Sequence, residues 1–299
     1  MATSQQQPEH ILTQEQVESF YDNGYLHLKN ILPTDTQELA ESIINKWVNK
    51  KINTWAKKGL LNEKFHQLPL ETRFYQAWLA AGKPHYVPRI TRGVFTESML
   101  QLLMNRTLIA IASEILGSIN LAAIYGYHCR PILPTRHFPD INSDYLNTPW
   151  HQDDQYLPDS ASKAFVVFWI PLVDVDESNS CLCVAAGHHR DKIYENHKIG
   201  LFCSIDQEVI KNFKNITPIR MKKGDLLCMH QRLPHYSMQN TTETIRWSFD
   251  MRYRKLAESD PAPDYGFICS HTDKSRVNTL NAEQLLKAFD EFAEKHHVA

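Results

Sequence analysis

Trp150-His151-Gln152-Asp153 and the apolar run shortly after it, Ala164-Phe165-Val166-Val167-Phe168-Trp169-Ile170, carry the first message of this chain. The run is rich in β-branched and aromatic residues and predicts a strand. In an extended segment ahead of it, residues two apart point to the same side. His151 and Asp153 can then reach one metal ion while Gln152 and Asp154 face away. A His and a carboxylate so spaced, joined by a distant second His, make the three-ligand set of non-haem Fe(II) oxygenases, which leaves one face of the metal open.

The tripeptide alone is weak, because His-x-Asp occurs three times, at His151/Asp153, His189/Asp191 and His271/Asp273, in a chain with 15 His and 34 acidic residues. A second stretch separates the first copy from the others. Among all the His only His235 has an Arg eleven residues on, at Arg246, across Gln239-Asn240-Thr241-Thr242. Such a turn predicts a returning strand that brings Arg246 beside His235. The guanidinium fork of Arg246 suits a dicarboxylate such as 2-oxoglutarate, which it can hold through two parallel hydrogen bonds. His230 competes as third ligand but lacks an Arg at that spacing. Two His and a carboxylate also suit zinc; a hydrolase, however, has no use for a carboxylate clamp beyond the metal.

Composition bounds the remaining classes. At 299 residues, 42% hydrophobic and 22% charged, the chain reads as one globular domain. A formal net charge of −2 offers no footprint for nucleic acid or anionic membrane. No apolar run is expected to approach the roughly 18–20 residues of a membrane span, and the start lacks a signal pattern, so a cytoplasmic protein is expected. The end, His296-His297-Val298-Ala299, is not a Ser-Lys-Leu address. The six Cys form no Cys-x-x-Cys pair, and the alternating Cys181-Leu182-Cys183-Val184 predicts buried, reduced thiols. Gly-x-Gly-x-x-Gly, Walker and Gly-x-Ser-x-Gly motifs are absent, which sets aside nucleotide-binding and serine-hydrolase readings.

Along the chain, Thr13-x-x-Gln16 predicts a capped helix that Gly24 ends, with a strand over Tyr25 to Leu28. Thr34-x-x-Gln37 predicts a capping box for a longer helix. Residues 59–95 read as irregular, with Pro69, Pro84 and Pro88 as breaks. One helix is expected over Glu97 to Leu116, stopped by Gly117. Strands follow from Leu121 to about Arg254, and Asn281-Ala282-Glu283-Gln284 starts a final helix.

In their order, Trp150-His151-Gln152-Asp153, Phe168-Trp169-Ile170-Pro171-Leu172, Ala186-Gly187-His188-His189-Arg190, Gly224-Asp225-Leu226-Leu227 and His235 through Arg246 resemble the blocks of the phytanoyl-CoA dioxygenase family. Val17 through Leu26 resembles that family's opening helix and strand. The resemblance spans roughly residues 13 to 254 and implies a mainly β fold: a double-stranded β-helix, or jelly roll, with flanking helices. The expected organisation is a single domain over 1–299, with a helical part at 13–117, the jelly-roll core at about 121–254 and a C-terminal helix at about 281–297.

The resemblance also implies the chemistry, a hydroxylase using Fe(II), 2-oxoglutarate and O2, with ascorbate as an aid in vitro. His151, Asp153 and His235 would hold the iron. Arg246 would take the distal carboxylate of 2-oxoglutarate and Ser237 would add a hydroxyl. Arg130, ahead of Pro131, matches a basic position of the family and would bind co-substrate, the alternative being an ordinary loop Arg. Gln152 matches the residue between the ligands and would hydrogen-bond near the site. Tyr127, Phe168 and Trp169 would wall the pocket, the alternative being core packing. His188 and His189 match a structural turn rather than a metal site. Residues 131–150 read as a long loop of the kind that forms lids, and 65–95 as a second substrate-facing candidate. The substrate is expected to be a small metabolite of specialised metabolism. An acyl-CoA hydroxylase and a jelly-roll metal-binding protein without turnover are the alternatives, and the oligomeric state is open.

Overall fold

The computed structural model describes residues 10–84, 90, 92–124, 128–137, 147–156, 164–199 and 202–296. The elements run α1 (Gln14–Asn23), β1 (Tyr25–Leu28), α2 (Thr34–Lys57), α3 (Leu70–Ala80), α4 (Glu97–Leu103), α5 (Arg106–Leu116), β2 (Leu121–Ile124), β3 (His128–Ile132), β4 (Phe165–Pro171), β5 (Leu182–Ala185), β6 (Asn196–Ile199), β7 (Phe202–Ile205), α6 (Gln207–Ile210), β8 (Ile216–Ile219), β9 (Leu226–His230), β10 (His235–Ser237), β11 (Arg246–Lys255), β12 (Gly266–Ser270) and α7 (Ala282–His296). A core of sheets is flanked by helices.

A seven-stranded antiparallel sheet has the order β1-β9-β4-β11-β2-β12, with β3 pairing the other half of β11. A three-stranded sheet, β10-β5-β8, and the ribbon β6-β7 complete the strands among the described residues. Pleat alternation sorts the large sheet's side chains into two cores. Val166, Phe168 and Ile170 of β4 pack with α2, α4 and α5 residues such as Ile43, Leu102 and Leu108. Phe165, Val167 and Trp169 pack instead with Leu182, Val184 and Ile219 of the smaller sheet. The helices therefore cover one face of the large sheet and the small sheet covers the other.

The predicted local signals hold at both ends of the chain. Thr13 and Gln16 form a reciprocal capping box, and Gly24 closes α1 at φ 81°. Gly24 also abuts His189, where a Cβ would lie 2.5 Å from Nδ1. Asn281 and Gln284 bond each other's backbone N–H and start α7 as expected.

Five expectations are corrected. Thr34 does not cap α2: the helix begins after Pro33, and Gln37 donates to the Leu32 carbonyl rather than closing a box. The supposedly irregular stretch contains α3, because Pro69 precedes a helix, a position that tolerates proline well, rather than breaking one. Phe74 of α3 joins an aromatic cluster with Trp47, Trp55 and Trp247 at ring-centroid distances of 5.1, 5.5 and 5.8 Å.

The helix over Glu97 to Leu116 is two, since the Asn105 side chain accepts from the N–H groups of Thr107 and Leu108 and restarts the helix. Contrary to expectation, this stretch is by composition long and apolar enough to cross a membrane, and half of it is buried inside the protein. Finally, strand structure does not stop at Arg254. β12 pairs β2 with Gly266 so close to the Ala123 carbonyl that a Cβ would sit 2.4 Å from it.

Candidate metal centre

β11 turns its apolar residues, Trp247, Phe249, Met251 and Tyr253, toward the helices. Alternation then puts Arg246, Ser248, Asp250, Arg252 and Arg254 on the side of the small sheet, every one of them buried. Burying charged groups is costly unless they are paired. The space between the sheets next to β11 is accordingly a polar site rather than a hydrophobic core.

Its centre is a cluster of His151, Asp153 and His235, whose ligand atoms all lie within 4.8 Å of one another. The two His are brought together by an isolated antiparallel bridge in which each backbone N–H donates to the other's carbonyl at 3.0 Å. Asp153 does not continue an extended segment, as the spacing argument required. It opens a 3-10 turn, Asp153–Tyr156, that swings its carboxylate back to the His pair. The Asp153 Oδ2 atom is 3.6 Å from His235 Nε2, and the two imidazole centroids are 4.1 Å apart.

The tautomers follow from the hydrogen bonds. His151 Nδ1 lies 2.8 Å from the Pro149 carbonyl, and His235 Nδ1 lies 2.9 Å from that of Leu233. A carbonyl can only accept, so each Nδ1 carries the proton and each Nε2 keeps a lone pair for a metal. Burial, helped by neighbouring His235, pushes His151 down to about 3, so the ring is neutral over the physiological range. Burial alone would raise the Asp153 carboxyl. Arg252 and then the two His overcome it and hold the group ionised well below the usual range. Two imidazole nitrogens and one carboxylate are a donor set that fits a divalent metal.

A cavity opens on these three, walled by Arg130, Thr148, Trp169, Ser237, Asp250 and Arg252 among others. Arg246 is fully buried just behind the wall. Its Nε donates to the Ser180 carbonyl at 3.0 Å and its Nη1 to Ser248 Oγ at 2.5 Å, while Nη2 reaches Ser180 Oγ at 3.3 Å and Ser237 Oγ at 3.4 Å. The Arg246 guanidinium also sits 5.4 Å from the Trp169 ring centroid. The expected turn-and-return is corrected here, since β10 and β11 belong to different sheets and the 239–242 segment crosses between them. Arg246 still reaches the His235 strand, but across the inter-sheet space.

Arg130 stands on β3 rather than in a loop, with its Nε on Asp250 Oδ2 at 2.6 Å and Nη1 on Thr148 Oγ1 at 3.3 Å. Gln152, expected to hydrogen-bond near the site, uses its amide on backbone groups. Its amide donates to the carbonyls of Arg232 and Lys192 and accepts from the Tyr194 N–H, which ties down the backbone outside the cavity wall. Phe168 is corrected as a pocket residue, since it packs on Tyr253 in the helical core. Tyr127, residues 138–146 of the 131–150 loop and several of the 65–95 residues lie outside the described residues.

His230 is away from the cluster, beside His189 and Phe20, and its Nδ1 accepts from the Arg232 N–H. His189 bonds the Tyr21 carbonyl and His188 bonds Asp191, so neither joins the cluster. All six Cys are free thiols, five of them buried. Asp250, Arg252, Thr148, Ser180 and Ser248 escaped sequence reasoning. The period-2 polarity of residues 246–254 was the signal that could have found three of them.

The phytanoyl-CoA dioxygenase (PhyH) family matches residues 20–248. A 2-aminoethylphosphonate dioxygenase of uncultured bacterium HF130_AEPn_1 is 22% identical over 256 residues, 85% of this chain and 86% of that protein. The peroxisomal phytanoyl-CoA dioxygenase of Bos taurus is 30% identical over 115 residues, 36% of this chain and 34% of that one. Among solved structures, the non-haem monooxygenase ThoJ aligns with a TM-score of 0.61 at 16% identity, over 93% of this chain and 94% of its own. The α-ketoglutarate-dependent carbocyclase SnoK of nogalamycin biosynthesis aligns with a TM-score of 0.56 at 16% identity, covering 82% and 85%. At these identities the structural likeness speaks for the fold.

Proposed function

Because this chain belongs to the phytanoyl-CoA dioxygenase family of Fe(II)- and 2-oxoglutarate-dependent oxygenases, we propose that it hydroxylates a small-molecule metabolite at an iron held by His151, Asp153 and His235. The observation that carries the reading is the convergence of two Nε2 lone pairs and one carboxylate on a single buried point beside a cavity. Bound there, Fe(II) would supply the oxidative chemistry that couples 2-oxoglutarate decarboxylation to attack on an unactivated carbon.

The protein's own groups bind, orient and exclude water. On this reading Arg246 takes the distal carboxylate of 2-oxoglutarate, exchanging its longer contacts to Ser180 and Ser237 for charge-assisted bonds. Ser237 adds its hydroxyl from the cavity lining, and Trp169 gives the cavity an apolar wall beside Arg246. Arg130, held by Asp250, keeps a cation in the cavity lining. The pairing of a large and a small antiparallel sheet around the site supports the double-stranded β-helix, and a single domain over the whole chain.

A small metabolite is favoured over an acyl-CoA. The 2-aminoethylphosphonate dioxygenase matches over most of both chains, whereas the phytanoyl-CoA enzyme of Bos taurus matches over about a third of each. The test is anaerobic loading with Fe(II), then addition of O2 and 2-oxoglutarate, measuring succinate with and without a metabolite panel. Iron-dependent succinate, raised by one class of metabolite, is expected. Its absence under every condition would leave a metal-binding protein without turnover.

A further inference from the structure

Every ligand of the proposed centre has a second atom, and the two His have theirs tied off by backbone carbonyls. Asp153 differs, because a carboxylate has two chemically equivalent oxygens. A buried carboxylate with both oxygens free can rotate, bind a metal through either or both, and so occupy the open face.

In this protein the oxygens are not equivalent. Oδ1 accepts from Arg252 Nη2, while Oδ2 faces His235 Nε2 at 3.6 Å. Arg252 is itself held from the other side, with its Nη1 3.2 Å from Asp250 Oδ1, and Asp250 Oδ2 is taken by Arg130 Nε at 2.6 Å. The result is an alternating row, Arg130–Asp250–Arg252–Asp153, with every member buried. Three of the four side chains are on strands: Arg130 on β3, and Asp250 and Arg252 two apart on β11. The row is thus anchored in the large sheet and ends on the metal-facing turn. A planar fork that joins two carboxylates fixes orientation in a way an ammonium cannot.

We propose that Arg252 is a positioning residue that reserves Oδ1 of Asp153, so that the carboxylate meets the metal through Oδ2 alone. This rests on the reading of His151, Asp153 and His235 as metal ligands. Arg252 does for the carboxylate what Pro149 and Leu233 do for the imidazoles, and groups so placed behind a ligand commonly change metal affinity or activity by about 10- to 100-fold when removed.

The experiment uses the full chain and Co(II) alone, without O2, reading affinity by titration and coordination by the visible absorption spectrum. Arg252→Met should weaken Co(II) binding at least about tenfold and change the spectrum. Arg252→Lys, which keeps the charge but cannot fork onto both carboxylates, should recover affinity only in part while its spectrum stays altered. In a double-variant cycle with Asp153→Ala, which removes both carboxylate oxygens, the loss from Arg252→Met should largely disappear, because its target is gone. Should Arg252→Met not fold, the lysine variant carries the same comparison. Wild-type affinity and spectrum in a folded Arg252 variant would overturn the inference alone. Co(II) binding that persists undiminished in His235→Ala would remove the metal reading, and this inference with it.

Discussion

His151 and His235 face each other across an isolated antiparallel bridge, so their register is set by two backbone hydrogen bonds before any metal arrives. Both side chains leave that bridge on the same side, and their Nδ1 protons are already committed to carbonyls. Replacing either His, or Asp153, with Ala should therefore abolish metal-dependent turnover while leaving the far-ultraviolet circular dichroism close to wild type. His230→Ala should keep turnover. Activity that survives His235→Ala and is lost in His230→Ala would move the third ligand to the wrong face of the fold described here.

Removing Arg246 should reveal two separable costs. The first is to 2-oxoglutarate, which loses a charge-assisted partner worth on the order of 2–5 kcal/mol. Arg246→Leu should raise the apparent 2-oxoglutarate KM by one to several decades, at roughly tenfold per 1.4 kcal/mol. The second falls on the protein, where the Ser180 carbonyl loses its Nε donor, costing about 1–3 kcal/mol for a buried acceptor left unpaired. Denaturant unfolding without co-substrate measures that part. Unchanged 2-oxoglutarate kinetics would remove Arg246 from the co-substrate site.

Most of the candidate site was legible because its signals are local in sequence. The His-x-Asp pair and the His235/Arg246 spacing are short patterns. What the sequence did not disclose is how backbone geometry uses them. The spacing of His151 and Asp153 suits a strand, yet the pair works through a bridge followed by a 3-10 turn. The turn after Ser237 suits a hairpin, yet it changes sheets. Which strand pairs with which is set by long-range packing, and no local pattern encodes it. Asp250 and Arg252 were hidden for a different reason. Charges alternating with apolar residues normally mark a solvent-exposed strand face, and here both faces of β11 are buried.

The split of the 97–116 helix was missed because its apolar periodicity continues across the break. Asn105 accepts from Thr107 and Leu108 N–H groups, and its amide also donates to Thr36 Oγ1 at 3.0 Å. Asn105→Ala should cost about 0.5–2 kcal/mol as a lost cap, read as a lower denaturant midpoint. A variant as stable as wild type would mean that helical packing alone sets the break.

Stability without metal should fall in mild acid, in part through His230. Burial, then His189 and Arg232, lowers this ring to about 4, against about 6.5 in an unfolded chain. Between those values the unfolded state binds a proton that the folded state refuses. Unfolding is therefore favoured increasingly as pH falls from about 6.5 toward 4, by on the order of 3 kcal/mol in total. His230→Gln should show a shallower loss of stability over that window, whatever its stability at neutral pH. An unchanged slope would place the acid sensitivity elsewhere.

The outcome of the reaction follows from the carboxylate ligand. A small residue in place of Asp153 would leave a metal position that a halide could take. Asp153 is here buried, ionised and bound to Arg252, so on the proposed reading that position stays filled and no halide can be delivered. With labelled O2, the product should gain one labelled oxygen atom, and succinate another, detected by mass spectrometry. A substrate that loses two hydrogens and gains no label would point to desaturation or ring closure, which substrate placement alone can select. A chlorinated product from chloride buffer would mean that Asp153 does not occupy the metal, and would sink the ligand set together with the role given to Arg252.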